Sequence, residues 1–384
     1  MARSQSRKRH NEDDVAQDKL TQDEHPVKVW LTSRALRELD RRNDMQPPPN
    51  PMTPAAVYPE NLARFARHGG PNLGHLRGAT RRSSAYDDDF EQHLIDHGIY
   101  LDGHEYLDDH ETPRLENLDQ IRQRLLATRV SSSSLRTPDS FFLEFQRKNK
   151  TKSEGTVMRK VVPLIAGNDN IPNEGHLSFT NLVSLTSDTT VKPIPDYSDG
   201  ARVADVHSEV RRDLNNVIIP TKHVDAPVAP NFFLEAKASR GAADVALRQS
   251  CYDGAYGARA MHSLQNYGKK HVAYDNSAYT LSSTYHDGVL RLYAHHLTAS
   301  TTPRGQPQYH MTKIAGFDLT SDQETLLKGV AAFRNARDLA EQHRSCFIKA
   351  ANSRATEARV SISQNGSADI SEIQHGTATQ PPSG

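Results

Sequence analysis

Apolar positions are sparse in the first third of the chain and dense in the second half. Residues 1–28 are charged and polar, and are expected to form a disordered tail because they have little burial to offset ordering entropy. From 29 to 136 the pattern predicts short helical segments and a linker. Trp30 to Leu39 is one segment, and Asn61 to Arg67 is another. Between them stands the stiff run of Pro47, Pro48, Pro49, Pro51 and Pro54. Asp87 to His97 puts Phe90, Leu94 and Ile95 on one face, with three aspartates at the positive end of the helix dipole. Pro113 opens a longer segment with Leu115, Leu118, Ile121, Leu125 and Leu126 on one side, ended by Ser131 to Ser134. These helices have no strand partner of their own and are expected to dock on the second half of the chain.

Residues 137–350 read as one α/β domain, anchored by Phe141, Phe142 and Phe145. Ser153 is placed to cap a helix with Val157, Val161, Val162 and Ile165 inward and Gly167 as its stop. Strand-like text follows at Leu177 to Leu185 and near Val191, and a helix is expected from Ser208 to Asn216. The stretch NFFLEAKAS (residues 231–239) is the clearest strand in the chain. Behind it, Ala242 to Tyr267 reads as a helix rich in small residues and able to pack closely. AYTLSSTYH and VLRLYAHHL alternate on either side of Asp287-Gly288, the signature of a hairpin. Leu281, Leu290 and Leu292 should face the core. A further strand spans His310 to Phe317. Ser321 caps a last helix that ends near Ala350. Residues 351–384, rich in Ser, Gln, Gly and Pro, are expected to be a second disordered tail. The fold class is therefore α/β: a central mixed sheet flanked by helices, with N-terminal helical extensions.

Composition narrows the reading. Hydrophobic residues make up 36% of the 384 and the mean hydropathy is −0.71, so a good part of the chain is expected outside any core. No apolar run is long enough for a membrane span, and no apolar stretch follows the basic N-terminus, as a secretory signal would need. Two cysteines, Cys251 and Cys346, make no disulfide framework or zinc set. They suit a reducing, intracellular compartment, nuclear or cytoplasmic. Arg7, Lys8 and Arg9 form either a minimal nuclear-import signal or a solvated tail. The formal net charge is zero. Any contact with DNA or RNA must therefore come from a local basic surface. No P-loop, nucleophile elbow or HExxH motif is present. The 19 histidines are scattered. His295 and His296 are adjacent on a strand and face opposite ways.

One constellation carries chemistry. Strand side chains alternate, so Phe232, Leu234, Ala236 and Ala238 share one face, and Phe233, Glu235, Lys237 and Ser239 the other. A carboxylate and an ammonium on a buried strand face each need a partner or a metal. The plain structural reading is a salt-bridged pair at a strand end. The functional reading is an ExK half-site, in which Glu235 binds a divalent cation and Lys237 faces a phosphate or polarises water. Glu235-Ala236-Lys237 is the single (D/E)xK match in the chain, and it falls on the best strand. A second acid would complete an oxygen site for Mg²⁺. KPIPDYSDG offers Asp196 and Asp199, which also read as turn residues, and Asp225 is a rival. Glu154 opens the helix after Ser153, either as a further ligand or as a charge favoured by the dipole. Gln249 lies on the long helix, either exposed or reaching a water or phosphate.

The order of helix acid, Pro-Asp, ExK strand and Gln-bearing helix resembles the PD-(D/E)XK, restriction-endonuclease-like superfamily. The stretches FEQHLIDHGIY, PIPDYSDG, NFFLEAKAS, RQSCYDGAYGARAMHSLQNYG and STYHDGVLRLYAHH resemble a family of fungal proteins with a domain of unknown function, over residues 30–350. The superfamily resemblance implies metal ligation by Asp196 (or Asp199), Glu235 and Glu154. It implies catalytic roles for Asp196, Asp199, Glu235, Lys237 and Gln249, and Mg²⁺-dependent hydrolysis of DNA or RNA. The chain departs from the pattern in the long stretch between Asp196 and Glu235, which requires a helix inserted between two strands. The alternative function is a non-catalytic binding or scaffold module that keeps the fold without the activity.

Overall fold

The computed structural model describes residues 83–105, 114–129, 137–167, 170–186, 190–300 and 305–374. In chain order, helix α1 (Phe90–Asp96) leads into strand β1 (Ile99–Tyr100). Helices α2 (Leu118–Leu125), α3 (Pro138–Asn149), α4 (Glu154–Lys160) and α5 (Val162–Ala166) follow, then strands β2 (Asn173–Glu174) and β3 (Tyr197–Ala201). A 3-10 turn (Val203–Asp205) and helices α6 (Ser208–Asp213) and α7 (Asn215–Ile218) fill the space before strand β4 (Val228–Lys237). The helical insertion that the sequence requires between Asp196 and Glu235 is thus present. Helix α8 (Ala243–Asn266), strands β5 (Thr280–His286), β6 (Val289–Thr298) and β7 (Gln308–Asp318), and helix α9 (Gln323–Gln374) follow.

Among the described residues seven strands form one open mixed sheet in the order β1-β7-β6-β5-β4-β3-β2. β4 and β5 run parallel, joined by α8 as crossover, and β1 runs parallel to β7. The remaining pairs are antiparallel. The sheet separates two apolar layers. On one face Phe232, Leu234, Ala236, Leu281, Leu290 and Leu292 pack with residues of α2 to α5 and α9. On the other, Phe233 packs with Val245, Tyr252 and Tyr256 of α8 and with Phe90 and Leu94 of α1. The expected alternation of β4 and the inward leucines of the hairpin both hold. Asp287 and Gly288 sit at the hairpin tip with φ of 48° and 92°. Both lie in the left-handed region that an Asp-Gly turn requires.

Several elements differ from the expectation, each for a local reason. The single helix expected from Ser153 is two, because Pro163 lies in the first turn of α5 and cannot continue α4. Leu177 to Leu185 is not a strand. Leu177, Phe179 and Leu182 are buried, but Phe179 N–H donates to Pro193, Asn181 N–H to Pro220 and Val183 N–H to Asn216. No single partner strand can form from such scattered acceptors. The strand lies instead at Tyr197–Ala201, in text that reads as a turn. There Gly200 lets Pro227 and Val228 approach, since a Cβ on it would stand 2.7 Å from both. The N-terminal segment also does more than dock, because Ile99 and Tyr100 add an edge strand to β7. Leu126, expected on the apolar side of its helix, is exposed. Asp322 rather than Ser321 accepts the Thr325 N–H at the start of α9. That helix passes Ala350, where it is expected to end, because Ala351 and Ala355 are buried against Val206, Met261 and Leu264. Residues 351–374 are therefore helical where a disordered tail is expected. The segments expected at 1–28, Trp30 to Leu39, the proline run, 61–67, Ser131 to Ser134 and 375–384 lie outside the described residues. Among the described residues no helix is long and apolar enough to cross a membrane.

One ion pair ties β3 to α9. Arg337 donates through Nε and Nη2 to the two oxygens of Asp199, each at 2.8 Å, with both side chains inaccessible to solvent. It also donates to the Tyr197 hydroxyl and, at 3.4 Å, to the Ala166 carbonyl. Breaking such a pair leaves a buried charge unmatched, at about 3–5 kcal/mol. Asp199→Ala should lose stability of that order in urea unfolding. Asp199→Ala/Arg337→Met should lose less than the two single variants summed, because the double change removes both charges.

Candidate functional site

The β3–β4 register decides which acid joins Glu235. Tyr197 is paired with Leu234 and Asp199 with Phe232. Directly paired residues of antiparallel strands share a face, so Asp199 falls on the face of Phe232 and meets Arg337. Asp196, just before β3 and opposite Glu235, falls on the other. Its backbone N–H donates to Glu235 Oε1 at 3.2 Å, and its Oδ2 accepts the Ala236 N–H at 2.9 Å. This parity separates the two acids: Asp196 stands at Glu235, and Asp199 is withdrawn into the ion pair with Arg337. Asp225 is exposed before the opposite end of β4 and is likewise remote.

Lys237 stands two residues beyond Glu235 on the same face, with only 3% of its side chain exposed. Glu154 Oε2 lies 3.6 Å from its ammonium, and the exposed ring of Tyr86 lies over it at 5.9 Å. Burial pushes the lysine pKa down, but Asp196 and Glu235, then Tyr86 and Glu154, outweigh this and leave it above the usual value. Lys237 is therefore a fixed cation. Glu154, expected among the metal ligands, is half-exposed and touches Lys237.

The sequence reading missed one member. Asp253 of α8 is buried and lies within hydrogen-bonding reach of Glu235. Gln249, one helical turn earlier, shares its face. Glu235 Oε2, Asp253 Oδ2 and Gln249 Oε1 are all buried without a donor among the described residues. Two ionised carboxylates cannot sit in contact without a proton or cation between them. Burial drives the Glu235 pKa well up, reinforced by Asp253 and Asp196. Burial also raises Asp253, to about 7. The available signal was the four-residue spacing from Gln249 together with the scarcity of acids on α8. Gly254 lets that helix come close, since a Cβ there would overlap the His295 ring. His295 accepts or donates one bond with Ser282, at 2.6 Å, and burial lowers its pKa to about 3.

The donor set is all oxygen, which suits a hard cation. Among the described residues no three His, Cys, Asp or Glu side chains are placed to hold a metal ion by themselves. Mg²⁺ does not require that, since it commonly binds through one or two carboxylates and completes its shell with waters and phosphate. The donorless oxygens of Glu235 and Asp253 fit such a partial set.

A family model, domain of unknown function DUF7924, matches residues 141–351, over half of the chain. The protein belongs to this family. The match spans Glu154, Asp196, Glu235, Lys237, Gln249, Asp253 and Arg337, whereas α1, β1 and α2 precede it. No curated protein and no solved structure matches the chain.

The acid pair sets a pH dependence. Asp253 has an ordinary pKa near 3.9 when unfolded and about 7 when folded. Between these values the folded state binds more protons, so stability falls as pH rises from about 4 to about 7. Urea midpoints measured in EDTA at pH 5 and pH 8 should show this decline in the wild type and a smaller one in Asp253→Asn.

Proposed function

We propose that the chain is a nuclease-like protein that hydrolyses phosphodiester bonds of DNA or RNA with Mg²⁺. The observation that carries the proposal is the β3–β4 register. It sets Asp196 against Glu235, on the face where Lys237 stands and where Gln249 and Asp253 present oxygens without donors among the described residues. The element order, α4 then antiparallel β3 and β4 then α8 then parallel β5, supports a resemblance to the restriction-endonuclease-like arrangement.

In this reading Asp196 and Glu235 would hold the cation, with Asp253 beside them to help neutralise it. Glu154, touching Lys237, is the further carboxylate available. Bound Mg²⁺ supplies a Lewis acid for the phosphoryl oxygens. Lys237, held protonated by its carboxylate neighbours, offers positive charge to the scissile phosphate. Gln249 is available to bond a phosphate oxygen or a water. A reducing compartment, nuclear or cytoplasmic, belongs to the same reading and fits two unpaired thiols, one buried and one exposed. A second reading has one observation in its favour: Glu235 and Asp253 can satisfy each other by sharing a proton. In that case the chain is a binding or scaffold module that keeps the fold without activity.

Glu235→Gln and Lys237→Ala should each abolish Mg²⁺-dependent cleavage of labelled DNA and RNA while the far-ultraviolet spectrum is retained. Mg²⁺ should stabilise the wild type by mass action, about 2.7 kcal/mol at a hundred times Kd, and so raise its melting temperature, and Glu235→Gln should erase the rise. A wild type that neither cleaves nor shifts with Mg²⁺ or Mn²⁺ decides for the scaffold module.

A further inference from the structure

We propose that an exposed basic surface, formed by the α3–α4 loop and the β4–α8 turn, seats the sugar–phosphate backbone of a nucleic acid strand, with Tyr86 stacking on a base beside it. The inference rests on the reading of the site as a phosphodiester-cleaving centre and says where its substrate lies.

Residues 147–152 read RKNKTK, four cations in six positions with no acid, in a chain whose formal charge is zero. Such local excess attracts polyanions although the whole molecule does not. Lys148 is paired with Glu144. Arg147, Lys150 and Lys152 are exposed, and so is Arg240 after β4. Among the described residues none of these four has a carboxylate within ion-pair distance.

The loop is held against the site. The Tyr285 hydroxyl donates to Asn149 Oδ1, and Glu154, two residues after Lys152, meets Lys237. Gly241 is wedged between the two basic segments: a Cβ there would stand 2.9 Å from Lys237 Cβ and 3.1 Å from Glu154 Oε1. A bond between His286 Nε2 and the Gly241 carbonyl, at 3.0 Å, fixes the turn that carries Arg240. Tyr86 adds an independent feature. It is a large aromatic side chain left 65% exposed, yet its ring is positioned over Lys237. Its segment is anchored by Arg248, which donates to the Ala85 carbonyl at 2.9 Å. A cationic track beside an exposed ring is how single strands are held: phosphates on the cations and a base on the ring.

The test is binding of a fluorescein-labelled 20-nucleotide single strand by full-length protein, followed by anisotropy in EDTA across a salt series. Lys150→Glu/Lys152→Glu should bind at least about tenfold more weakly at low salt. Its log–log salt slope should be shallower by about 1.4, from two lost phosphate contacts at about 0.7 each. Tyr86→Ala should lose affinity several-fold with the slope unchanged. Lys269→Glu/Lys270→Glu makes the same charge change on exposed residues beyond the far end of α8, a helix roughly 36 Å long, and should bind as the wild type does. Unaltered affinity and slope in Lys150→Glu/Lys152→Glu, or an equal loss in Lys269→Glu/Lys270→Glu, overturns the proposal. A wild type that binds through this surface but cleaves nothing leaves it standing and removes the hydrolysis reading alone.

Discussion

The bidentate contact between Arg337 and Asp199 is the constraint on which the candidate site depends. β3 is only five residues long, and its sequence, YSDGA, has little intrinsic preference for a strand. What holds it is tertiary: β4 on one edge, close packing of Gly200 on Pro227 and Val228, and the guanidinium reaching from α9. A buried ion pair adds little net stability, because desolvation of two charges offsets their attraction. Its fork geometry does fix orientation. Strand side chains alternate with period two, so tying Asp199 to the α9 face obliges Asp196 to face the other way, toward Glu235. A slip of one residue would exchange the two acids.

The opposite face of β4 is built at the expense of stability. Glu235, Lys237 and Asp253 are all buried, and three oxygens there lack donors among the described residues. A glycine inside a helix costs about 1 kcal/mol relative to alanine, yet α8 carries Gly254 and Gly257 where it crosses the sheet. A Cβ at Gly257 would stand 2.7 Å from both Phe233 and Thr280. The two glycines let the helix lie close enough for Asp253 to reach Glu235. Local costs of this kind, gathered along β4 and the helix that crosses it, are characteristic of sites retained for chemistry or binding. The basic α3–α4 loop and Tyr86 border the Lys237 end of β4, so charge, aromatic surface and buried acids converge there.

Much of this was legible in the sequence because it depends on short-range pattern. The alternation in NFFLEAKAS separated Glu235 and Lys237 from the apolar face of β4. Asp287-Gly288 marked the hairpin, and the small-residue run marked α8. Asp253 was not legible as a site residue. Its local marks are the four-residue spacing from Gln249 and the scarcity of acids on α8, and nothing in α8 says which of its faces meets Glu235. Ser198-Asp199-Gly200 reads as a turn because those residues favour turns in isolation, and only the neighbours of β3 override that preference. Leu177 to Leu185 misleads in the opposite sense: its apolar residues are buried, but their backbone partners are scattered.

The sequence by itself therefore determined most of the helices, the strongly alternating strands and which of their residues share a face, since helical and strand periods act over a few residues. Only the tertiary structure decided which acid stands at Glu235, that α8 delivers Asp253, that Ile99 and Tyr100 extend the sheet, and that α9 runs on past Ala350. Those outcomes depend on register and contact between segments far apart in the chain. Their physical cause is the simultaneous burial of both partners, which no single stretch of sequence contains.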